Sequence, residues 1–127
     1  MDVDAYLNRI DLARPAIADG AQLRELHRAH LSAVPFENLS IHLDEPISLA
    51  ADDLTDKIVR QRRGGFCYEL NGSFALLLTG LGYTVERLAA RVYGGEERLG
   101  PPYDHLALLV SATDGDGPWL ADVGFGS

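Results

Sequence analysis

The chain has 127 residues, of which 46% are hydrophobic and 24% charged, so it can bury a core and is not a disordered tail. Its 19 acidic residues outweigh the 11 basic ones, and the net charge of −8 argues against binding to nucleic acid or an anionic membrane. No apolar run approaches the ~20 residues of a membrane span, and the acidic start is unlike a signal peptide. The single cysteine predicts a reducing, cytoplasmic compartment.

The first two predicted helices begin at aspartates and end before prolines. Asp2 is a candidate N-cap for a short helix that must end before Pro15. A second helix is predicted from Asp19 or Ala21 to about Ala33, and Pro35 then stops it. Its apolar residues approximate a helical stripe: Leu23, Leu26, Leu31 and Val34.

Two more helices are predicted after a loop that spans residues 36–51. The third begins with Asp52 or Asp53 as its cap and ends before Gly64. The fourth starts around Cys67 and continues until Gly80. Helices therefore account for most of the first half of the chain.

Beyond residue 82 the sequence pattern changes from helices to strands. Residues 83–93, 105–112 and 119–123 are predicted strands, and the Asp-Gly-Asp-Gly sequence at 114–117 is a strong turn signal between the last two. Helices followed by antiparallel strands indicate an α+β fold or two adjoining domains.

Cys67 is predicted to lie at the start of the fourth helix, directly after Gly64 and Gly65. A helix N-terminus presents unpaired N–H groups and the positive end of the helix dipole, which favour the reactive thiolate over the thiol. Glycines at this point leave room for a substrate and let the backbone turn sharply. The alternative is a buried, unreactive cysteine, which is the commoner fate of a free thiol. Cys67 is therefore a candidate nucleophile.

A nucleophilic cysteine needs a base, and the chain has four histidines. His27 and His30 are three residues apart on the second helix, where we predict a solvated face because no third metal ligand is evident. His42 lies among acidic residues and predicts a surface ion pair. His105 opens an apolar strand, so its ring needs a buried partner, whether structural or catalytic.

Asp122 also lies in an apolar strand, where a carboxylate needs a hydrogen-bonding partner. If the strands of His105 and Asp122 pair through the predicted turn, the two side chains can meet across the sheet. Asp104 is closer in sequence, but neighbours on a strand point to opposite faces, which makes it a poor partner for His105. Without Cys67 nearby, a pair of His105 and Asp122 would be structural.

Four motifs in this chain order resemble those of a known family. Residues 34–39 read VPFENL, 63–71 read RGGFCYELN, 104–106 read DHL and 121–126 read ADVGFG. Together they resemble the motifs of the arylamine N-acetyltransferases, and the resemblance extends from about Tyr6 to the last residue. It implies an N-terminal helical bundle, residues 1–82, followed by the first antiparallel strands of an incomplete β-barrel, residues 83–127.

The resemblance also implies a cysteine-protease-like Cys–His–Asp site that is used for acyl transfer. Cys67 would take the acetyl group of acetyl-CoA, a cosubstrate rather than a permanently bound cofactor, with His105 as base and Asp122 as its orienting group. The acetyl group would then pass to an arylamine, arylhydroxylamine or hydrazine in a ping-pong mechanism. Phe36 and Phe125 would line the substrate pocket, with core packing as the alternative, and no metal is implied.

Two charged residues of the nucleophile motif have a structural role by the same resemblance. Arg63 and Glu69 would brace the loop before Cys67 by a charged hydrogen bond, and neither would take part in chemistry. Oxyanion donors are expected among the backbone N–H groups near Cys67.

Family members are considerably longer than this chain, so the resemblance predicts an N-terminal fragment with impaired or no activity of its own. Strand edges exposed in such a fragment would favour a homo-oligomer. The alternatives are a cysteine peptidase or amidase with the same three residues, and a non-catalytic fragment that binds CoA or another chain. In each case the expected ligands are small molecules or a second protein chain.

Overall fold

A computed structural model of the chain describes residues 2–37, 43, 48–90, 105–113 and 115–124. Several residues singled out in the sequence lie outside these ranges, namely His42, Asp104 and Phe125. Most of the predicted loop at 36–51 and the last three residues of the first predicted strand also lie outside them.

The first two helices both begin after an aspartate N-cap, of which Asp2 is the predicted one. Helix α1 is Val3–Arg9 and α2 is Gly20–Ala33. A side-chain oxygen of Asp2 accepts a hydrogen bond from Ala5 N at 3.0 Å, and one of Asp19 accepts from Gln22 N at 2.9 Å. The stripe predicted for α2 is wrong at Leu31, which is 52% exposed, because the face turned to the core also carries His30.

The next two helices differ in how closely they follow prediction. Helix α3 is Ala51–Thr55 and continues directly into a π-helical turn, Asp56–Arg60. Its N-cap is Ala50, without a side-chain hydrogen bond, and the predicted caps Asp52 and Asp53 lie in the first turn. Helix α4 is Cys67–Gly80, which confirms both ends of the fourth predicted helix.

Within the described ranges, three antiparallel strands form one sheet in the order β1-β2-β3. They are β1 Thr84–Ala90, β2 His105–Ser111 and β3 Trp119–Ala121. Leu108 of β2 pairs with Ala121, so Asp122 directly follows the paired part of β3. Gly115 and Gly117 have φ angles of 90° and 103°, which only glycine adopts easily, at the predicted turn between β2 and β3.

One hydrophobic core is shared by the helices and the sheet. It joins Leu70 and Phe74 of α4 to Leu108 and Val110 of β2. Residues of both predicted domains, 1–82 and 83–127, contribute to this core. The division into two domains stays a prediction. No helix in the described part of the chain is long and apolar enough to cross a membrane.

Candidate active site

Cys67 is the first residue of α4, as predicted, and only 8% of its surface is exposed. At this position it faces the positive end of the dipole of a 14-residue helix. Most of this helix is buried, so the packing around it holds the Cys67 backbone in a fixed position. This placement is the one that the nucleophile interpretation of Cys67 predicts.

The glycines before Cys67 are required by contacts within the chain. A Cβ on Gly64 would lie 1.8 Å from the carbonyl oxygen of Pro35, and one on Gly65 would lie 2.8 Å from the Glu69 side chain. Both glycines are buried. The expectation that they leave room for a substrate is therefore wrong, because the chain itself occupies the space.

The segment after Pro35 lies alongside the cysteine loop. Phe36 and Gly65 form an isolated parallel β-bridge, in which Glu37 N donates to Gly65 O at 2.8 Å. The Phe36 side chain is 46% exposed, which excludes the core-packing alternative. Its backbone lies beside a residue two positions from Cys67, and its role in substrate binding stays a prediction.

Four charged side chains brace the loop that leads to Cys67. Arg63 donates to Glu37 Oε1 at 2.7 Å, and Lys57 Nζ lies 2.8 Å from Glu69 Oε2 and 3.9 Å from Glu37 Oε1. Glu69 Oε1 also accepts a hydrogen bond from Phe66 N, which satisfies a donor at the helix start. The structural role expected for Arg63 and Glu69 therefore includes two partners that sequence reasoning missed, Lys57 and Glu37.

The buried side chain of Arg9 also stabilises this loop, by hydrogen bonds to its backbone. Arg9 Nη2 donates to the carbonyl oxygens of Arg62 and Arg63 at 3.2 and 3.3 Å. Its Nε and Nη1 donate to Ile58 O and Ala33 O, both at 2.8 Å. Sequence reasoning did not assign Arg9 any role, because its acceptors are backbone carbonyls from 24 to 54 residues away.

His105 and Asp122 form the predicted contact. His105 Nε2 lies 2.5 Å from Asp122 Oδ2, and the His105 ring is buried. Asp122 Oδ1 accepts a hydrogen bond from Gly124 N at 3.0 Å. Because a carboxylate only accepts, Nε2 carries a proton in this pair, and Nδ1 is the other nitrogen of the ring.

The pair of His105 and Asp122 lies against the first turns of α4. Asn71, one helical turn after Cys67, donates from Nδ2 to Asp122 Oδ1 at 2.9 Å. A Cβ on Gly124 would lie only 2.7 Å from Cys67 Cα, so the segment after Asp122 packs directly on the cysteine backbone. The structure therefore brings all three predicted residues to one region of the molecule.

Neither histidine of α2 has the solvated environment predicted for it. His30 is fully buried, and its Nε2 lies 2.7 Å from the Tyr6 hydroxyl. His27 is half-buried and its Nε2 lies 3.0 Å from the backbone oxygen of Asp122. That expectation is wrong because this face of α2 packs toward Phe74 and the residue after β3.

Among the residues that the structure describes, no cluster of three or more His, Cys, Asp or Glu side chains is arranged to hold a metal ion. The chemistry available here is that of a thiol at a helix N-terminus in the same region as a histidine that is hydrogen-bonded to a carboxylate. Such a set favours nucleophilic attack on a carbonyl carbon.

Comparison with known proteins gives the family. The arylamine N-acetyltransferase / N-hydroxyarylamine O-acetyltransferase of Salmonella typhimurium is 41% identical over 122 residues, which are 96% of this chain and 43% of that protein. A family model described as N-acetyltransferase matches residues 19–127. The chain belongs to the arylamine N-acetyltransferase family. It spans about half the length of the relatives it matches.

Solved structures of the family share the same arrangement of helices and antiparallel sheet. The Mycobacterium marinum arylamine N-acetyltransferase in complex with CoA has a TM-score of 0.90 at 41% identity, covering 98% of this chain and 47% of that one. The Bacillus cereus enzyme has a TM-score of 0.88 at 26% identity, covering 99% and 50%. The latter is described as having a Cys–His–Glu catalytic triad. These similarities confirm the fold class of helices followed by an antiparallel sheet.

Proposed function

We propose that this chain carries the acyl-transfer site of an arylamine N-acetyltransferase, with Cys67, His105 and Asp122 as its Cys–His–Asp residues. The observation that carries the proposal is the hydrogen bond between His105 and Asp122, packed against the helix that begins at Cys67. The family relatives that are named for this activity, and the one solved with CoA, support the choice of acetyl-CoA and an arylamine as substrates.

In the first half-reaction the Cys67 thiol gives its proton to His105, and the thiolate attacks the thioester carbonyl of acetyl-CoA. The tetrahedral intermediate collapses, the C–S bond to CoA breaks, and the leaving CoA thiolate takes the proton from His105. Because Asp122 occupies Nε2 of the ring, His105 Nδ1 is the atom that exchanges this proton. The product is acetyl-cysteine and free CoA.

In the second half-reaction the nitrogen of an arylamine, arylhydroxylamine or hydrazine attacks the acetyl-cysteine. His105 accepts the proton that the nitrogen loses and returns it to the Cys67 sulfur as the C–S bond breaks. Phe36 and Phe125 are proposed to line the apolar site of the acceptor ring. The exposed side chain of Phe36 beside the cysteine loop supports this part of the proposal.

The single cysteine gives the proposal a direct test, since an acyl adduct on Cys67 is distinguishable by intact mass. Incubation with acetyl-CoA alone should add the mass of one acetyl group, and Cys67→Ala should remain unmodified. Addition of an arylamine to the isolated adduct should remove it and yield one equivalent of acetylated amine, as a ping-pong mechanism requires.

Two results would contradict the transferase. Loss of the adduct as acetate at the same rate with and without amine would indicate a hydrolase. Absence of any adduct, with Cys67 reacting toward iodoacetamide like an ordinary thiol of pKa ~8.5, would leave only a binding role.

The remaining proposals concern the setting of this site. The share of each relative that the chain spans supports its being part of a longer polypeptide, which the mass of the protein from its native source would test. The outer edge of β3, where Leu120 is 71% exposed, is the proposed surface for self-association. The cytoplasm stays the proposed compartment, and acetyl-CoA is a substrate rather than a resident cofactor.

A further inference from the structure

Asn71 is a fully buried polar residue of α4 and lies one helical turn after Cys67. Residues four apart lie on the same face of a helix, so the Asn71 amide faces the same neighbours as the cysteine. A side-chain amide in such a place must find partners for both its oxygen and its nitrogen. Its partners identify what it does.

The amide joins the two segments that carry the proposed base and its orienting group. Nδ2 donates to Leu106 O at 2.7 Å, one residue after His105, and to Asp122 Oδ1 at 2.9 Å. Oδ1 accepts from Val123 N at 2.9 Å. The orientation of the amide is unambiguous, since Leu106 O only accepts and Val123 N only donates.

These bonds fix the rotation of the Asp122 carboxylate. Its Oδ1 receives two donors, Asn71 Nδ2 and Gly124 N, while Oδ2 is left for His105 at 2.5 Å. Two donors on Oδ1 hold the carboxylate in the rotation that presents Oδ2 to the imidazole ring. Loss of the amide would free the carboxylate to rotate away from the ring.

We propose that Asn71 is a positioning residue: it sets the placement of His105 and Asp122 relative to Cys67 by hydrogen-bonding both segments from the helix of the nucleophile. This inference rests on the proposed function of those three residues. Asn71 itself contacts no substrate and exchanges no proton, and it acts only through Asp122 and the backbone beside His105.

The test measures the rate of Cys67 alkylation by iodoacetamide against pH, followed by intact mass. The wild type should show a rate plateau that extends well below the pKa of ~8.5 of an ordinary thiol, because His105 stabilises the thiolate. Asn71→Ser and Asn71→Asp should lose the plateau and show the pH profile of an ordinary thiol. At pH 6.5 the alkylation rate of Cys67 should fall by a factor of about ten or more in both variants.

The matched control is Ser73→Ala, which removes another fully buried polar side chain of α4. In the described part of the chain Ser73 bonds to Tyr6 and Leu70 rather than to the His105 segment, so its loss should leave the plateau intact while lowering stability. Circular dichroism and thermal melting of every variant distinguish a misfolded protein from a folded one in which His105 and Asp122 are misplaced. The positioning role is supported if Ser73→Ala keeps the plateau and both Asn71 variants lose it.

Two results would overturn the inference while leaving the proposed function in place. One is an unchanged plateau in both Asn71 variants. The other is unfolding of both variants when Ser73→Ala folds, which would make Asn71 a residue of the fold alone. A wild type without any plateau would instead contradict the proposed function, and this inference with it.

Discussion

At the scale of single residues, Asp122 is the best-connected group of the site. Its carboxylate meets His105, Asn71 and Gly124, and its backbone oxygen meets His27. A side chain with this many fixed partners has one orientation, so it can impose one orientation on the imidazole ring. One of these partners, Gly124, packs against the Cys67 backbone, so the pair lies in the same region as the cysteine.

Gly124 gives a prediction at this scale. A Cβ there would lie 2.7 Å from Cys67 Cα and 3.0 Å from Asn71 Nδ2, and a helix backbone has little freedom to move away. Gly124→Ala should therefore displace the residues after β3, and the acetylation rate of Cys67 should fall at least tenfold. The measurement is the time course of the acetyl adduct by intact mass.

The control for this change is Gly72→Ala in the middle of α4. Its Cβ would meet only the end of the Leu54 side chain, at 3.3 Å, and alanine is favoured over glycine in a helix by about 1 kcal/mol. An acetylation rate equal to that of the wild type in both variants would contradict the close-packing argument for Gly124.

The sequence identified part of this site on physical grounds. His105 and Asp122 were predictable because polar side chains in apolar strands need partners. Asn71 had the same kind of signal, since it lies in a helix that is buried on nearly every face. His27 and His30 had no such signal, because a helix with charged neighbours predicts a solvent-facing side.

At the scale of elements, Arg9 connects α1 to α2, to the π-helical turn and to the cysteine loop. Four backbone carbonyls, from the end of α2, the π-helical turn and the cysteine loop, accept hydrogen bonds from one guanidinium group. Aspartate caps and proline breaks predicted where α1 and α2 begin and end. The Arg9 contacts were not predictable, since they depend on long-range packing that no local pattern contains.

Arg9→Lys should lower the free energy of unfolding by about 2–5 kcal/mol, because an ammonium group cannot reach all four carbonyls and each buried group left unpaired costs about 1–3 kcal/mol. Urea denaturation monitored by circular dichroism measures the loss. Arg14→Lys is the matched control, since its bond to Asp4 is on the surface, and it should change stability by less than about 1 kcal/mol. Equal losses in the two variants would contradict the role of Arg9.

At the scale of the whole molecule, a series of hydrogen bonds between polar side chains crosses the shared core. Ser73 Oγ donates to Leu70 O and Tyr6 donates to Ser73, so His30 Nε2 must be the donor to the Tyr6 oxygen. His30 Nδ1 has no hydrogen-bond partner in the part of the chain that the structure describes. Burial, and then the positive charge of Arg9, lower the pKa of His30 to about 3.

This lowered pKa predicts a pH dependence of folding. The unfolded chain binds a proton at His30 near pH ~6.5 while the folded chain does not until about pH 3, so stability falls as the pH decreases through that window. The slope for this group approaches about 1.4 kcal/mol per pH unit. Urea denaturation across the window should show a shallower slope for His30→Gln, which keeps a donor for Tyr6 and does not titrate.

Identical slopes for the wild type and His30→Gln would contradict the assignment of this pH dependence to His30. Carboxylates also titrate at low pH, but they are the same in both proteins and cancel in the comparison. The measurement therefore isolates one buried ring in a chain with 19 acidic residues.

Helix α1 has a practical consequence for where a recombinant version of this protein should begin. The match to the family model starts at residue 19, and a polypeptide cut there would keep Cys67, His105 and Asp122. It would lose Tyr6 and Arg9, and so leave His30 without its acceptor and four backbone carbonyls, one buried and three partly buried, without their donor. Unpaired groups on that scale, at about 1–3 kcal/mol each, rival the net stability of a whole domain. A clone designed from the alignment boundary would therefore retain every motif and still fail to give folded protein.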